Sequence, residues 1–428
     1  MTRCCKWTVL PVALGMLGAA GPAGLGCVPR AYTTAQSLAA GDAFLAVEPF
    51  RAGAFYDAAG TFRGLPGTAQ PRSALRSYRF PDDHPLRGRL ARRAFVYDLA
   101  LAMIVHTLAD RPREAAEIGA LLGQLVDAGS GLPGFSLDLA SPSFYDAGYL
   151  RAGVAAWVGY ALALYDLARG ERRFVAHARR VADALLAARV PPGSDPRAGL
   201  VRAGRGRWVD GQRRFEPAFA ADYCVTEHQI DTWFLLDALG RLEPGRYDVA
   251  ADALARAMLS ALWLEGEGRF AVAVTAGGLD RGRALDAAGA WGTLFLLARG
   301  ESARAHRALD FTRRTFATRV DGLDGFAPYA DPNPEYDGYD FSRTLFSEGS
   351  AGMALALLRT GDRAGAERVA ATLRALQARG EGGVLYATPE GPDMLELPAV
   401  APTAWLLFLE RELQGRRAWV FAPRISGR

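Results

Sequence analysis

From about residue 90 onward, apolar positions recur in a two-part rhythm that predicts pairs of helices separated by loops rich in glycine, proline and aromatics. The first helix of each pair is expected over 98–108, 147–169, 227–239, 286–299, 348–359 and 403–412. Partners follow over 112–127, 171–189, 247–262, 302–318 and 363–379, and the apolar segment 33–47 supplies a twelfth helix. Three within-pair links, Ala168-Arg169-Gly170-Glu171, Ala298-Arg299-Gly300-Glu301 and Arg359-Thr360-Gly361-Asp362, put glycine where a left-handed helix cap is wanted. First helices, such as 154–167 and 291–297, are apolar around most of their circumference, whereas a partner such as 171–188 keeps a charged face. A helix apolar all round must be buried on all sides. The pattern therefore predicts an all-α protein with an inner ring of six helices inside an outer ring of six. An open superhelix of hairpins would leave one helix set exposed.

Composition changes this picture little. Half of the 428 residues are hydrophobic and the formal net charge is +4, with Lys6 the only lysine. The arginines alternate with acids and form no basic tract, so no nucleic-acid partner is expected. The N-terminus is different. Arg3 and Lys6, an apolar run from Trp7 to Leu17 and small residues ending in Gly24-Leu25-Gly26-Cys27 read as an export signal over 1–27, followed by one domain over 28–428. The last four residues resemble a bacterial lipoprotein box, with Cys27 the lipidated residue and periplasmic or membrane-anchored localisation as the expectation. Plain cleavage near Ala20 to Ala23 is the alternative. Only Cys27 and Cys224 then remain, too few for a disulfide framework or a cysteine zinc site. No later stretch is long enough to span a membrane, so any membrane attachment would be through the lipid alone. Walker, strand-led GxGxxG and GxSxG signatures are absent, and no cofactor is expected.

The helix rhythm over 33–415, together with Tyr97-Asp98-Leu99-Ala100-Leu101-Ala102, Thr226-Glu227-His228-Gln229-Ile230-Asp231 and Ser347-Glu348-Gly349-Ser350, resembles the six-hairpin glycosidase superfamily. The resemblance implies an (α/α)6 toroid with short β-like loop segments at one end. It also implies a carbohydrate-active enzyme, most simply a glycoside hydrolase acting on a poly- or oligosaccharide.

In such a ring the loops leading into the inner helices emerge at one end, where the first residues of each helix converge. Those positions hold Asp98, Asp146, Glu227 with Asp231, Asp286 and Glu348, and Thr403 in the sixth hairpin. Glycoside hydrolysis needs two carboxyl groups, one protonated to release the leaving oxygen and one to activate water or attack. Glu227, Asp231, Asp286 and Glu348 are the candidate acid/base residues. A competing explanation is that acids favour the first turn of any helix, and Thr226 with Gln229 fits a capping box. Sugar rings stack on aromatics, and Tyr145, Trp291 and Tyr339 are candidate substrate contacts, as are Asp98, Asp146, His228 and Arg343. Arg343 would hold a sugar carboxylate or pair with Asp340. Glu227, His228 and Asp231 share a helix face; HExxH is missing, and no metal site is assigned. His106 reads as a core histidine. Three other functions stay open: a sugar epimerase leaning on His228, a polysaccharide lyase using Tyr, His or Arg, and a non-catalytic envelope lipoprotein that holds a glycan or a partner. A pure helical-repeat scaffold is disfavoured by the long aromatic loops.

Overall fold

A computed structural model of the chain describes residues 31–50, 54–56, 62–64, 72–139, 149–209, 214–333, 336, 338–416 and 420–422. Its helices are α1 Thr34–Phe44, α2 Arg87–Leu90, α3 Val96–Leu108, α4 Pro112–Ala128, α5 Ala152–Arg169, α6 Val175–Ala187, α7 Thr226–Leu242, α8 Arg246–Ala261, α9 Trp291–Ala298, α10 Ser302–Phe316, α11 Ser347–Arg359, α12 Arg363–Arg379 and α13 Val400–Leu413. A π-helical turn, Asp286–Ala290, leads into α9.

Helices α3, α5, α7, α9, α11 and α13 are the apolar set, and they touch in that order, α13 returning to α3. They form the inner ring. In α3, α5 and α13 all but one to three residues at the C-terminal end are buried, as a helix enclosed by neighbours on every side requires. Helices α4, α6, α8, α10 and α12 each lie on the inner helix that precedes them and bury one face, such as Ala305, Ala308, Leu309, Thr312 and Phe316 of α10. Helix α1 supplies the sixth outer position, packing on α13 and α12. The fold is an (α/α)6 toroid, as the hydrophobic pattern predicts.

Extended chain introduces the inner helices. Phe95, Arg151, Val225, Phe346 and Ala399 precede α3, α5, α7, α11 and α13 in β conformation. Short antiparallel pairs brace these entries: Arg93–Phe95 with Ser136–Asp138, Leu150–Arg151 with Gly204–Val209, Cys224–Val225 with Ala273–Thr275, Leu345–Phe346 with Ala387–Thr388, and Pro398–Ala399 with Val384–Leu385. Segment 75–79 closes the ring between the first and last hairpins. Ser77 N–H donates to Arg93 O, Val400 N–H to Ser77 O, and Tyr78 bridges Ala399.

A side chain at the fourth position of three inner helices pins this rim. Gln229 accepts Val201 N–H at 2.7 Å and donates to Val201 O and Val225 O, Ser350 accepts Phe326 N–H at 2.9 Å, and Thr403 accepts Val384 N–H at 2.8 Å while donating to Ala399 O. The capping box expected from Thr226 and Gln229 is therefore not formed. Val225 is the N-cap, Thr226 donates to Ala271 O, and Gln229 is spent on the neighbouring strand because a buried backbone pair there has no other partner. Thr403 has the same structural role and brings no chemistry to the rim.

Several helix boundaries also shift, among them that of α5, which begins at Ala152 rather than 147 because Leu150–Arg151 is extended. Helix α6 begins at Val175 rather than 171, α13 begins at Val400, three residues before 403, and α10 stops at Phe316 because Ala317–Val320 turns into a hairpin with Leu323–Phe326.

Candidate active site

Carboxyl groups from four inner hairpins meet where the ring opens. Glu348 is the second residue of α11, Asp98 the third of α3, Asp231 the sixth of α7, and Asp286 the first of the π-turn. Charges on Asp286 and Asp98 act on Glu348, and those on Asp286 and Glu348 act on Asp231, so residues remote in sequence share one electrostatic environment.

Burial dominates that environment. Glu348, Asp98 and Asp231 are buried, and Asp286, half-buried as a residue, has Oδ1 fully enclosed. Removing a carboxylate from water favours the protonated form. Asp98 and Asp286 are each raised from 3.8 to about 7, Asp98 by burial against a smaller lowering by the Ser77 hydroxyl. Glu348 and Asp231 are pushed well above the usual range by burial and then by their acidic neighbours. The Trp157 indole N–H draws Asp231 partly back without completing a hydrogen bond, and both Asp231 oxygens lack one. No arginine, lysine or histidine among the described residues figures in the shifts of these four acids. Two buried arginines at the rim are engaged elsewhere, Arg151 with the carbonyls of Leu150, Arg205 and Gly206, and Arg269 with those of Phe270, Arg281 and Gly282 and with the Glu267 carboxylate.

One hydrogen-bonded chain orders the group. Trp405 Nε1 donates to the Tyr97 hydroxyl at 3.0 Å, and Tyr97 donates to Glu348 Oε1 at 2.5 Å. Burial and the nearby Glu348 charge hold the Tyr97 phenol well above its ordinary pKa, so it remains a donor. Tyr97 and Trp405 each lie edge-on to Trp157, at 5.4 and 5.9 Å, and Trp291 lies 4.8 Å from Trp405. A cavity of about 30 Å³ is lined by Asp98, Glu348, Tyr97, Tyr78, Tyr386 and Phe95 among others. That volume suits a single water molecule.

The sequence candidates separate accordingly. Asp98, Asp231, Asp286 and Glu348 come together, with Trp291 packed beneath them and its indole N–H unpartnered. The expected trio of Glu227, His228 and Asp231 divides. Glu227 is buried in the first turn of α7, yet the charges acting on Asp231 and Glu348 are those of the other axial acids. His228 is held neutral, lowered to about 3 by burial and then by Arg151. Tyr339 packs 4.7 Å from Phe341, in a cluster with Tyr329 and Tyr336, and Arg343 is exposed, adding a smaller lowering of Asp340 to that from its hydrogen bonds with Ser342; neither Tyr339 nor Arg343 lines the axial cavity. Tyr145, Asp146 and Cys27 lie outside the described residues. Sequence reasoning passed over Tyr97, Tyr78 and Trp157. One signal was available for Tyr97: it occupies the same second position of α3 that Glu348 occupies in α11. His106 is a core residue, with Nε2 3.1 Å from Leu45 O.

No protein-family profile matches the chain, and no curated protein is significantly similar to it. Solved structures are similar in fold. A glycosidase E335A variant in complex with glucose aligns with a TM-score of 0.55 at 15% identity, over 77% of this chain and 90% of that one. A family 76 glycoside hydrolase from a bovine Bacteroides thetaiotaomicron strain aligns with a TM-score of 0.55 at 12% identity, over 89% and 77%. A rhamnosidase from Klebsiella oxytoca with rhamnose bound gives 0.53 at 15% identity, over 91% and 66%. At these identities the likeness is one of fold, a glycosidase-like toroid.

Proposed function

We propose that the chain is a glycoside hydrolase acting on a poly- or oligosaccharide, with Glu348 and Asp98 as its working carboxyl pair. The observation that carries this reading is their position: both line the axial cavity at the end of the toroid where the inner helices begin, and both titrate far above an exposed carboxyl. Asp231 and Asp286 stand behind them as the electrostatic background.

Neighbouring carboxyls in a low-dielectric site ionise in turn, because charging both is unfavourable, and one of them holds its proton to higher pH. Glu348, raised further by its acidic neighbours, keeps it. Tyr97 occupies Oε1 as a donor and leaves Oε2 for the proton that passes to the departing glycosidic oxygen. Asp98, titrating near 7, ionises first and serves as base or nucleophile on the sugar's other side. Developing positive charge on the sugar ring is favoured by whichever of the surrounding acids is ionised, and no cation among the described residues acts on them to oppose it. The same feature favours a neutral saccharide over a uronate and weighs against the lyase reading, which needs a base beside the sugar carboxylate. His228 is held neutral by burial and then by Arg151, and nothing in that environment favours an epimerase over the carboxyl pair. We further propose that the protein is exported and carries lipid at Cys27, on the strength of the N-terminal pattern alone.

Reducing-end release by residues 31–428 on a panel of neutral polysaccharides tests the assignment, with Glu348→Gln and Asp98→Asn beside the parent. Loss of about a hundredfold or more in each variant, with helical content unchanged, is the expected result. Saturable glycan binding without turnover, surviving both changes, would leave a carbohydrate-holding envelope protein in its place.

A further inference from the structure

Residues 420–422 enter the toroid from the end where the inner helices finish. Arg359, the last residue of α11, donates to Phe421 O at 2.7 Å and Val420 O at 2.8 Å, and its side chain is held by Glu412 near the end of α13. Phe421 N–H donates to the Tyr160 hydroxyl at 3.0 Å. The backbone of Phe421 is left-handed, φ +49°, a conformation that a phenylalanine keeps only where its surroundings over-determine it.

The ring of Phe421 sits on the toroid axis. It stacks on Phe234 at 4.0 Å and 9°, lies 4.9 Å from Trp157 and 5.9 Å from Trp405, and is almost wholly buried. Those two indoles are the ones that reach the acid cluster: Trp405 donates to Tyr97, Tyr97 donates to Glu348, and Trp157 lies edge-on to Tyr97 and beside Asp231. An aromatic column thus runs from the chain's tail to the mouth. Close-packed interiors transmit displacement along such a column, since no void is available to absorb it.

We infer that Phe421 is a positioning residue for the axial acid, fixing Trp405 and Trp157 from below so that Tyr97 meets Glu348 in one geometry. As a statement about catalysis this rests on the hydrolase reading; as a statement about Glu348 it does not. Packing alone would make Phe421 one more core side chain, equivalent to any other of its size. Positioning makes it specific, because its loss alters a group at the opposite end of the inner helices.

The test reads the ionisation of Glu348 without substrate. Protonated carboxyls quench neighbouring indoles more than carboxylates do, so the pH midpoint of tryptophan fluorescence reports the acid beside Trp405 once Glu348→Gln has identified that transition. Asp98, Asp231 and Asp286 also face Glu348, and Arg359, Glu412, Asp237 and Arg241 surround the tail; apart from Arg359 in Arg359→Gln, all are unchanged in the variants compared. Phe421→Ala is compared with Phe316→Ala, an equally enclosed ring on outer helix α10, with Phe421→Leu as the conservative exchange and Arg359→Gln as a way to loosen the tail without opening a cavity. The expected result is a midpoint moved by about half a pH unit or more in Phe421→Ala and in Arg359→Gln, largely restored in Phe421→Leu and unmoved in Phe316→Ala. On an accepted glycan, kcat in Phe421→Ala falls about tenfold to a hundredfold while KM changes little. Equal midpoints in Phe421→Ala and Phe316→Ala, or no transition that depends on Glu348, would overturn the inference. Absence of turnover in the parent protein, with the midpoint still moving, would remove the hydrolase reading and leave the positioning intact.

Discussion

The Tyr97 hydroxyl and the Glu348 carboxyl lie 2.5 Å apart although 251 residues separate them in the chain. The bond lowers the Glu348 pKa against the larger upward push of burial. Tyr97→Phe removes it and leaves the Trp405 N–H without an acceptor. The Glu348 pKa is expected to rise further, moving the alkaline limb of the activity profile upward, and the orphaned N–H to cost about 1–3 kcal/mol of stability. A pH–rate profile and a denaturant titration of the variant measure the two effects.

A bell-shaped dependence of kcat/KM on pH follows from the proposed pair. Activity rises as Asp98 ionises near 7 and falls at higher pH as Glu348 gives up its proton. Asp98→Asn should abolish the rising limb together with most of the rate. A rate that declines steadily from acid to neutral pH would rule out this pair.

Stability has its own pH dependence. Asp98 and Asp286 bind a proton more tightly folded, about 7, than unfolded, 3.8, so what they contribute is fully present below pH 3.8 and is lost as pH rises through about 7. His228 and His106, lowered to about 3 and about 4 from 6.5, act in the opposite sense and add stability as pH rises through 6.5, an effect largely complete about one unit higher. Above that the buried carboxyls dominate among these groups, and Tm is expected to fall between about pH 7.5 and 8.5. Asp286→Asn flattens the fall and is more stable than the parent at about pH 8, which differential scanning fluorimetry across a buffer series would show.

Gln229→Leu should destabilise by about 2–4 kcal/mol, because Val201 N–H and O lose their partner inside the rim, where water cannot replace it. The companion Ser350→Ala, which removes one hydroxyl, should cost about 1 kcal/mol. Urea midpoints at constant m would measure both.

The charge of the site gives a prediction about substrate. With acids from four hairpins and no base among the described residues acting on them, a neutral oligosaccharide should exceed a uronate of equal length by about tenfold or more in kcat/KM, like charges in a low-dielectric site being strongly unfavourable. Paired assays on neutral and carboxyl-bearing substrates would decide it.

The ring was legible in the sequence because burial on all sides leaves a plain mark: the inner helices are apolar around their whole circumference and their partners are not. The convergence of Asp98, Asp231, Asp286 and Glu348 followed from the repeat, since equivalent positions of repeated hairpins end at the same place. The division among Glu227, His228 and Asp231 did not follow, because helical spacing says which residues share a face and not which of them reaches the axis. Tyr97 and Phe421 were hidden for another reason. An aromatic beside an acid, or in a short tail, has the same composition whether it holds a catalytic group or only fills volume, and what distinguishes the two is a partner hundreds of residues away.

The pairing of α1 with α13 has a temporal consequence. The sixth hairpin is assembled from the first and last helices of the ring, so a chain delivered from its N-terminus carries α1 without its inner-ring partner until residue 413 arrives. Until then the flanks of α3 and α11 that α13 covers stay open to other chains. Closure thus depends on the longest-range contacts between helices, and the interval before it leaves those flanks exposed to misassembly.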